Sequence, residues 1–313
     1  MVGVLVIALT VAVGYLIVHQ SHAANADING DGTVNILDLS ILAAHYNKTG
    51  QTFSTGDING DGVVNILDLS ILAAAWGSSV STTCQSVAVP AYFYPAGTGN
   101  PWPTAVAAAP GVSIMIANPA SGPGTSIDPN YTSAIASAKA AGIRVFGYVD
   151  TSFAALSSAS VETNVNTWKN LYGVTDIFFD EASSAAGDEP YYQTLDAYVH
   201  GQTAGSLVIL NPGTVPDQSY MNAGDIIAIF ENNTTVYQTA TFPAWIHNFA
   251  PSRFLAIVYN VPDQTSMTAV LSKAAQNGIA YAYATNDNLP NPYDTVPPYL
   301  AAEAGQARNN CSL

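Results

Sequence analysis

Positive charge is what this sequence has least of. Its 313 residues hold 7 Lys and Arg against 22 Asp and Glu, a formal net charge of −15, and only 9% are charged at all. Soluble domains usually carry about 25%. Such an acidic chain repels the phosphates of nucleic acid, which excludes that class of partner, and it repels anionic membrane surfaces equally. It suits calcium, a neutral substrate or a cationic one. With 49% hydrophobic residues and 24 Gly, disorder is excluded as well. Cysteine is scarce: Cys84 and Cys311 bracket nearly everything after residue 80. They are candidates for a disulfide clasp joining the ends of one exported domain, with two unrelated thiols as the alternative. A loop that long stabilises by up to ~5 kcal/mol in the chain-entropy account.

The first 23 residues, MVGVLVIALTVAVGYLIVHQSHA, contain no charged side chain. Two readings compete for them. Ser21-His22-Ala23 loosely fits a small-x-small cleavage site, although the basic start of a signal peptide is missing. An uncleaved membrane anchor is the other reading, since the apolar run of ~17 residues only just spans a bilayer. Either reading exports the remainder, so the protein is expected to be secreted or held at the cell surface.

Residues 27–44, DINGDGTVNILDLSILAA, recur at 57–74 as DINGDGVVNILDLSILAA, with Thr33 against Val63 the one difference. Each copy places oxygens at loop positions one, three, five, nine and twelve. These are Asp27, Asn29, Asp31, Asn35 and Asp38 in the first, and Asp57, Asn59, Asp61, Asn65 and Asp68 in the second. Gly32 and Gly62 stand at position six, where the loop must turn sharply, and the backbone carbonyls of Thr33 and Val63 supply position seven. Three aspartates per loop repel one another unless a divalent cation sits between them. Two Ca²⁺ ions are therefore expected.

No helix enters either loop, and each loop leads into one apolar helix, from Ile36 to about Tyr46 and from Ile66 to about Trp76. This duplicated loop–helix resembles a type I dockerin domain over residues 25–77. The resemblance implies docking to a cohesin module through polar residues at loop positions ten and eleven. Here those positions are Ile36-Leu37 and Ile66-Leu67, which leaves packing within the chain, self-association or a cohesin-like partner open. GSSVSTT then reads as a flexible linker, with residues 78–85 joining the two domains.

Past Cys84, eight apolar, β-rich runs alternate with helical or polar stretches: 86–95, 111–119, 142–150, 173–181, 205–213, 225–232, 253–261 and 278–287. Continuously apolar runs suit strands buried on both faces, as in a parallel sheet. One intervening helix starts at Asp128-Pro129, an N-cap followed by proline, and stops before Gly142; another runs from about Ser266 to Asn277. Eight β–α units in ~220 residues predict a (β/α)8 TIM barrel over 86–308, preceded by the small all-α domain. Polarity gathers at the strand ends, at Tyr94, Asn118, Asp150, Asp180-Glu181, Asn211, Glu231-Asn232, Asn260 and Asn286-Asp287, and the strand starts carry nothing comparable.

Asp180 closes the fourth run and Glu231 the sixth. Alternate strands feed the same interior layer, so these carboxylates can converge over one cavity, the minimum equipment for glycoside hydrolysis. The short reach of Asp180 suits attack, and Glu231 beside Phe230 suits proton delivery; exchanged roles stay open. Glu181 is expected to support them. Tyr94, Asn118, Tyr148, Asp150, Asn211, Tyr259 and Tyr283 are candidate sugar contacts, and Trp102 and Trp245 are either stacking platforms or core. His200 and His247 lack a neighbouring Cys or His at metal spacing and read as structural.

The stretches IFFDE (177–181), IANPASGPG (116–124), GYVDT (147–151), LNPG (210–213) and IAIFEN (227–232) resemble, in order, the motifs of spherulin-4-like proteins. The resemblance implies a TIM barrel and an exported glycoside hydrolase, endo-acting on α-1,4-linked N-acetylgalactosamine polymers, with no cofactor needed for catalysis. It maps the family's acidic residues onto Asp180, Glu181 and Glu231. The alternative is a catalytically idle carbohydrate-binding or coat protein on the same barrel.

Overall fold

The computed structural model describes residues 26–29, 34–77 and 84–310, and the chain divides into two compact units between Thr83 and Cys84. Residues 1–23, Asp31, Thr33, most of the linker and Cys311 lie outside the described residues. Among those that are described, no helix is long and apolar enough to cross a membrane.

The small unit is two copies of one device. Its helices are Ile36–His45 and Ile66–Ala74. The loop asparagine caps each one: the side-chain oxygen of Asn35 accepts from the Leu37 N–H and that of Asn65 from the Leu67 N–H, both at 2.7 Å. Asp38 and Asp68, three residues on, complete capping boxes by accepting from Asn35 N–H and Asn65 N–H at 2.8 Å. Their second carboxylate oxygens accept from Ile28 N–H at 2.7 Å and Ile58 N–H at 2.8 Å, tying each loop's start to its own helix. Asn35 and Asn65 thus set the start of each helix while their side chains remain at loop position nine. In the second loop Asp57 accepts from the N–H groups of Gly60, Asp61 and Gly62, and Gly62 takes a left-handed φ of +83°.

Behind the loops, Ala26, Ile28, Val34 and Leu42 pack with Ile58, Val64, Leu72 and Ala75 in a single shared core. Ile36, Leu37, Ile66 and Leu67 stand outside it, 62, 53, 61 and 55% exposed.

The large unit is a closed barrel of eight parallel strands, β1 to β8 in chain order. They are Ser86–Ala91, Val112–Ala117, Arg144–Asp150, Asp176–Asp180, Val208–Leu210, Ile226–Asn233, Phe254–Tyr259 and Tyr281–Ala284. Each lies inside or within a residue of the run expected from sequence, because burial on both faces demands unbroken apolar chemistry. The helices end where their caps say. Asp128 caps Pro129–Ala140, and Asp263, rather than Ser266, begins Gln264–Gln276.

The strand starts are not bare, contrary to the expectation. Arg144 at the start of β3 grips Asp176 at the start of β4 through two bonds of 2.7 and 2.8 Å. Arg253, just ahead of β7, donates to the backbone carbonyls of Met221, Gly224 and Asp225. Lys139, Lys169 and Lys273 likewise donate to carbonyl oxygens at helix and loop ends. The scarce cations of this chain mostly cap carbonyls and leave its acids alone.

One close approach sets the barrel's fit. Gly147 in β3 lies so near the Trp168 ring that a Cβ there would meet it at 2.5 Å, while Trp168 donates its indole N–H to the Tyr148 carbonyl at 2.8 Å. Gly147→Ala is expected to cost about 2–3 kcal/mol by overpacking. A chemical-denaturation midpoint equal to wild type would show that the helix gives way freely.

Candidate active site

The carboxyl ends of β4, β5 and β6 bring three side chains to one point. Asn211, just past β5, donates from Nδ2 to Asp180 Oδ1 at 2.7 Å and to Glu231 Oε2 at 2.5 Å. Its own oxygen accepts from Gly213 N–H at 3.1 Å, which fixes the amide with its nitrogen toward the acids. Gly213, at φ +64°, also accepts from Glu231 N–H at 2.9 Å, so one turn orients both the amide and the glutamate. Two oxygens bonded to a single nitrogen are no more than about 5 Å apart, close to the spacing of carboxylates in retaining glycosidases.

Phenols surround the pair. Tyr293 donates to Glu231 Oε1 at 2.6 Å, and Tyr148 hydrogen-bonds Asp180. Tyr92 stands edge-on to both rings, 5.5 Å from each centroid. Burial, followed by the nearby carboxylate charges, pushes the Tyr92 and Tyr148 hydroxyls well above their ordinary range; for Tyr293 burial and Glu231 do the same. All three stay neutral donors at physiological pH.

No Lys or Arg lines the cavity over these groups. Burial first, and the charge of Glu231 second, push the Asp180 carboxyl up to about 7, against the opposing hydrogen bonds from Asn211, the backbone and Tyr148. Asp180 therefore keeps its proton through most of the acid range, which relieves its repulsion with Glu231. Above them opens a cavity of about 470 Å³, lined by Tyr92, Asn118, Ser121, Tyr148, Glu231, Tyr259 and the segment 289–293.

Asn118, Tyr148, Tyr259 and Glu231 thus face one space, with Asn211 beneath. Tyr94 does not join them. It is 52% exposed, donates to Asp128 at 3.0 Å and accepts from Asn130 at 2.8 Å, so it fastens the loop after β1 to the start of helix Pro129–Ala140. Tyr92, two residues earlier, is the tyrosine that faces inward. Tyr283, fully buried, packs 6.5 Å from the Tyr293 ring and belongs to the core. Asp150 accepts from Ser152 N–H at 2.6 Å and holds a turn in which Ser152, Phe153 and Ala154 all have positive φ.

Glu181 takes a left-handed φ of +46°, is exposed, and offers its carbonyl to Phe153 N–H at 2.6 Å. Its side chain is outside the cavity lining. Trp102 is core, its indole N–H given to the Phe93 carbonyl. Tyr293 and its loop went unpredicted, although LPNPY (289–293) carries a signal: two prolines stiffen a segment directly after a strand end, and stiff loops there hold ligands.

Residues 86–306 match the sequence profile of the spherulation-specific family 4, and residues 25–77 match that of the dockerin type I domain. This chain belongs to spherulation-specific family 4. It is 32% identical over 230 residues to Spherulin-4 of Physarum polycephalum, covering 69% of this chain and 68% of that protein. Its fold is similar to that of Sph3 from Aspergillus clavatus, solved in complex with GalNAc, with a TM-score of 0.60 and 24% identity over 72% of this chain and 98% of that one.

For Asp180 the folded value lies above the ordinary 3.8. The folded chain then binds more protons than the unfolded one between those limits, so this group's contribution to stability declines as pH rises from about 4 to about 7. Asp180→Asn removes that slope. Its melting temperature relative to wild type is expected to climb between pH 4 and pH 8, and a constant difference would show that Asp180 titrates normally.

Proposed function

We propose that this member of the family is an exported glycoside hydrolase that cleaves α-1,4-linked galactosamine or N-acetylgalactosamine polysaccharide, internally and with retention. The observation that carries the reading is the single Asn211 amide bonded to both Asp180 and Glu231. A pair so close leaves no room for a water between carboxylate and sugar, which favours direct attack. The phenol-lined cavity offers faces and donors to a pyranose ring, and the GalNAc bound to the related Sph3 suggests which sugar.

In this reading Asp180 attacks the anomeric carbon while Glu231, which lines the cavity, gives a proton to the glycosidic oxygen. The covalent glycosyl ester forms as the leaving chain departs with that proton. Water then attacks the ester, Glu231 takes up one of its protons, and Asp180 is released. In the free protein burial favours the proton on Asp180; moving it to Glu231 as substrate binds crosses only the gap spanned by Asn211. Tyr293 steadies Glu231 in both steps, and Glu181 stands ready at the rim to meet neighbouring sugars.

Incubation with partially deacetylated α-1,4-galactosamine polymer tests the activity. Wild type is expected to release oligosaccharides, and Asp180→Asn and Glu231→Gln to lose at least 100-fold in rate. Equal release by all three sinks the proposal. Azide added to Asp180→Ala is expected to restore turnover and give a glycosyl azide of inverted configuration; rescue of Glu231→Ala with that inverted product would exchange the two roles.

The small unit we read as a calcium-held docking module. Its second loop offers oxygen donors alone, from Asp57, Asn59, Asp61, Asp68 and the Val63 carbonyl, a set suited to a hard cation. Asn65 would act there through water. The repeated Ile36-Leu37 and Ile66-Leu67 pairs form an apolar surface for a cohesin-like partner. Calcium is expected to raise the melting temperature of this unit and leave that of the barrel unchanged; identical calorimetric traces in EDTA and calcium would refute metal binding. The proposed Cys84–Cys311 clasp is supported by their neighbours, since Gln85 N–H donates to the Asn310 carbonyl and Asn310 Nδ2 to Gln85 Oε1, both at 2.8 Å.

A further inference from the structure

At the strand-start end of the barrel a second polar cluster has no part in the chemistry above. Asp196 and His200 lie four residues apart on helix Glu189–Gln202, and Asp225 immediately precedes β6. His200 Nε2 is 3.1 Å from Asp225 Oδ2 and 3.4 Å from Asp196 Oδ1. The geometry points to a divalent transition-metal site, best suited to Zn²⁺, held by Asp196, His200 and Asp225 with a fourth position open to water.

Hydrogen bonding leaves the cluster short of donors. An imidazole nitrogen carries at most one hydrogen, so Nε2 can serve only one of the two carboxylates it faces. Asp225 Oδ2 is already supplied by the Val208 N–H at 2.8 Å. Asp196 Oδ1 is shut off from solvent and, among the described residues, has no partner beyond the 3.4 Å approach of His200 Nε2. Nor does the nearby guanidinium supply one, because Arg253 gives its hydrogen bonds to the Asp225, Met221 and Gly224 carbonyls. A cation with several coordination positions satisfies all three ligands at once.

The three donor atoms lie within 4.8 Å of one another. Ligands ~2.0–2.1 Å from a tetrahedral zinc are separated by about 3.3 Å, a value that lies between the two distances to Nε2. One nitrogen and two carboxylate oxygens suit zinc and exclude a preference for calcium, which takes oxygen alone. The Val208 N–H orients the Asp225 carboxylate as outer partners of metal ligands do. His200 is 36% exposed at its side chain, so the open position can be reached. A bound ion would pin helix Glu189–Gln202 to the start of β6, at the end of the barrel opposite the carboxylate pair.

The test is Zn²⁺ titration calorimetry on the full chain with calcium saturating, so that the repeated loops do not compete. Wild type is expected to bind one Zn²⁺ that His200→Ala and the isosteric Asp196→Asn bind at least about tenfold more weakly. Co²⁺ in place of Zn²⁺ should give wild type, and neither variant, the visible absorption of a tetrahedral site. Uptake equal in wild type and both variants, or no uptake by wild type, overturns the site. Polymer hydrolysis is independent of this result, since none of the three ligands touches the cavity.

Discussion

Two carboxylates share one amide nitrogen at the mouth of this barrel, with no cation to neutralise them. Everything around Asp180 and Glu231 follows from that constraint. Charge of one sign brought so close in a partly desolvated place must be relieved by a proton, and burial of Asp180 puts it there. The neutral phenols of Tyr148 and Tyr293 then act as donors that stabilise whichever oxygen is charged, without adding a competing positive group. Gly213 matters because its turn holds the amide and the glutamate in one frame.

The scarcity of Lys and Arg gains its meaning at the opposite end. Lys139, Lys169, Lys273 and Arg253 are committed to backbone carbonyls, and Arg144 to Asp176, which leaves the Asp180–Glu231 end unneutralised. The two ends of the barrel thus solve charge differently. One end uses ion pairs and carbonyl caps; the other keeps unpaired acids and the strained left-handed residues Glu181, Ser152, Phe153 and Ala154 around them. Strain and uncompensated charge therefore collect at one rim of the barrel.

The small unit follows a separate logic. Its order rests on two aspartates, Asp38 and Asp68, each spending both oxygens on backbone N–H groups of loop and helix. Duplication lets two loops that could not bury a core singly share one, and it also repeats the apolar pair that stays outside. The same residues that make the core possible are read off the repeat directly; that Ile36, Leu37, Ile66 and Leu67 face away from it is a matter of helix phase.

By itself the sequence determined the elements: unbroken apolar runs are strands, Asp-Pro and Asp-x-x caps start helices, and a duplicated aspartate loop precedes each small helix, since each signal acts over a few residues. It also marked Asp180 and Glu231, because acids ending apolar runs need a reason. Tertiary structure alone decided which polar groups meet. Whether Tyr92 or Tyr94 turns inward depends on where β1 stops, and no local rule sets that residue. The joining of Asn211 to both acids, the return of Tyr293 over Glu231, and the gathering of Asp196 and His200 with Asp225 all link residues 20 to 62 positions apart. Such meetings arise only from barrel closure, which sets strand order and register for the whole chain at once.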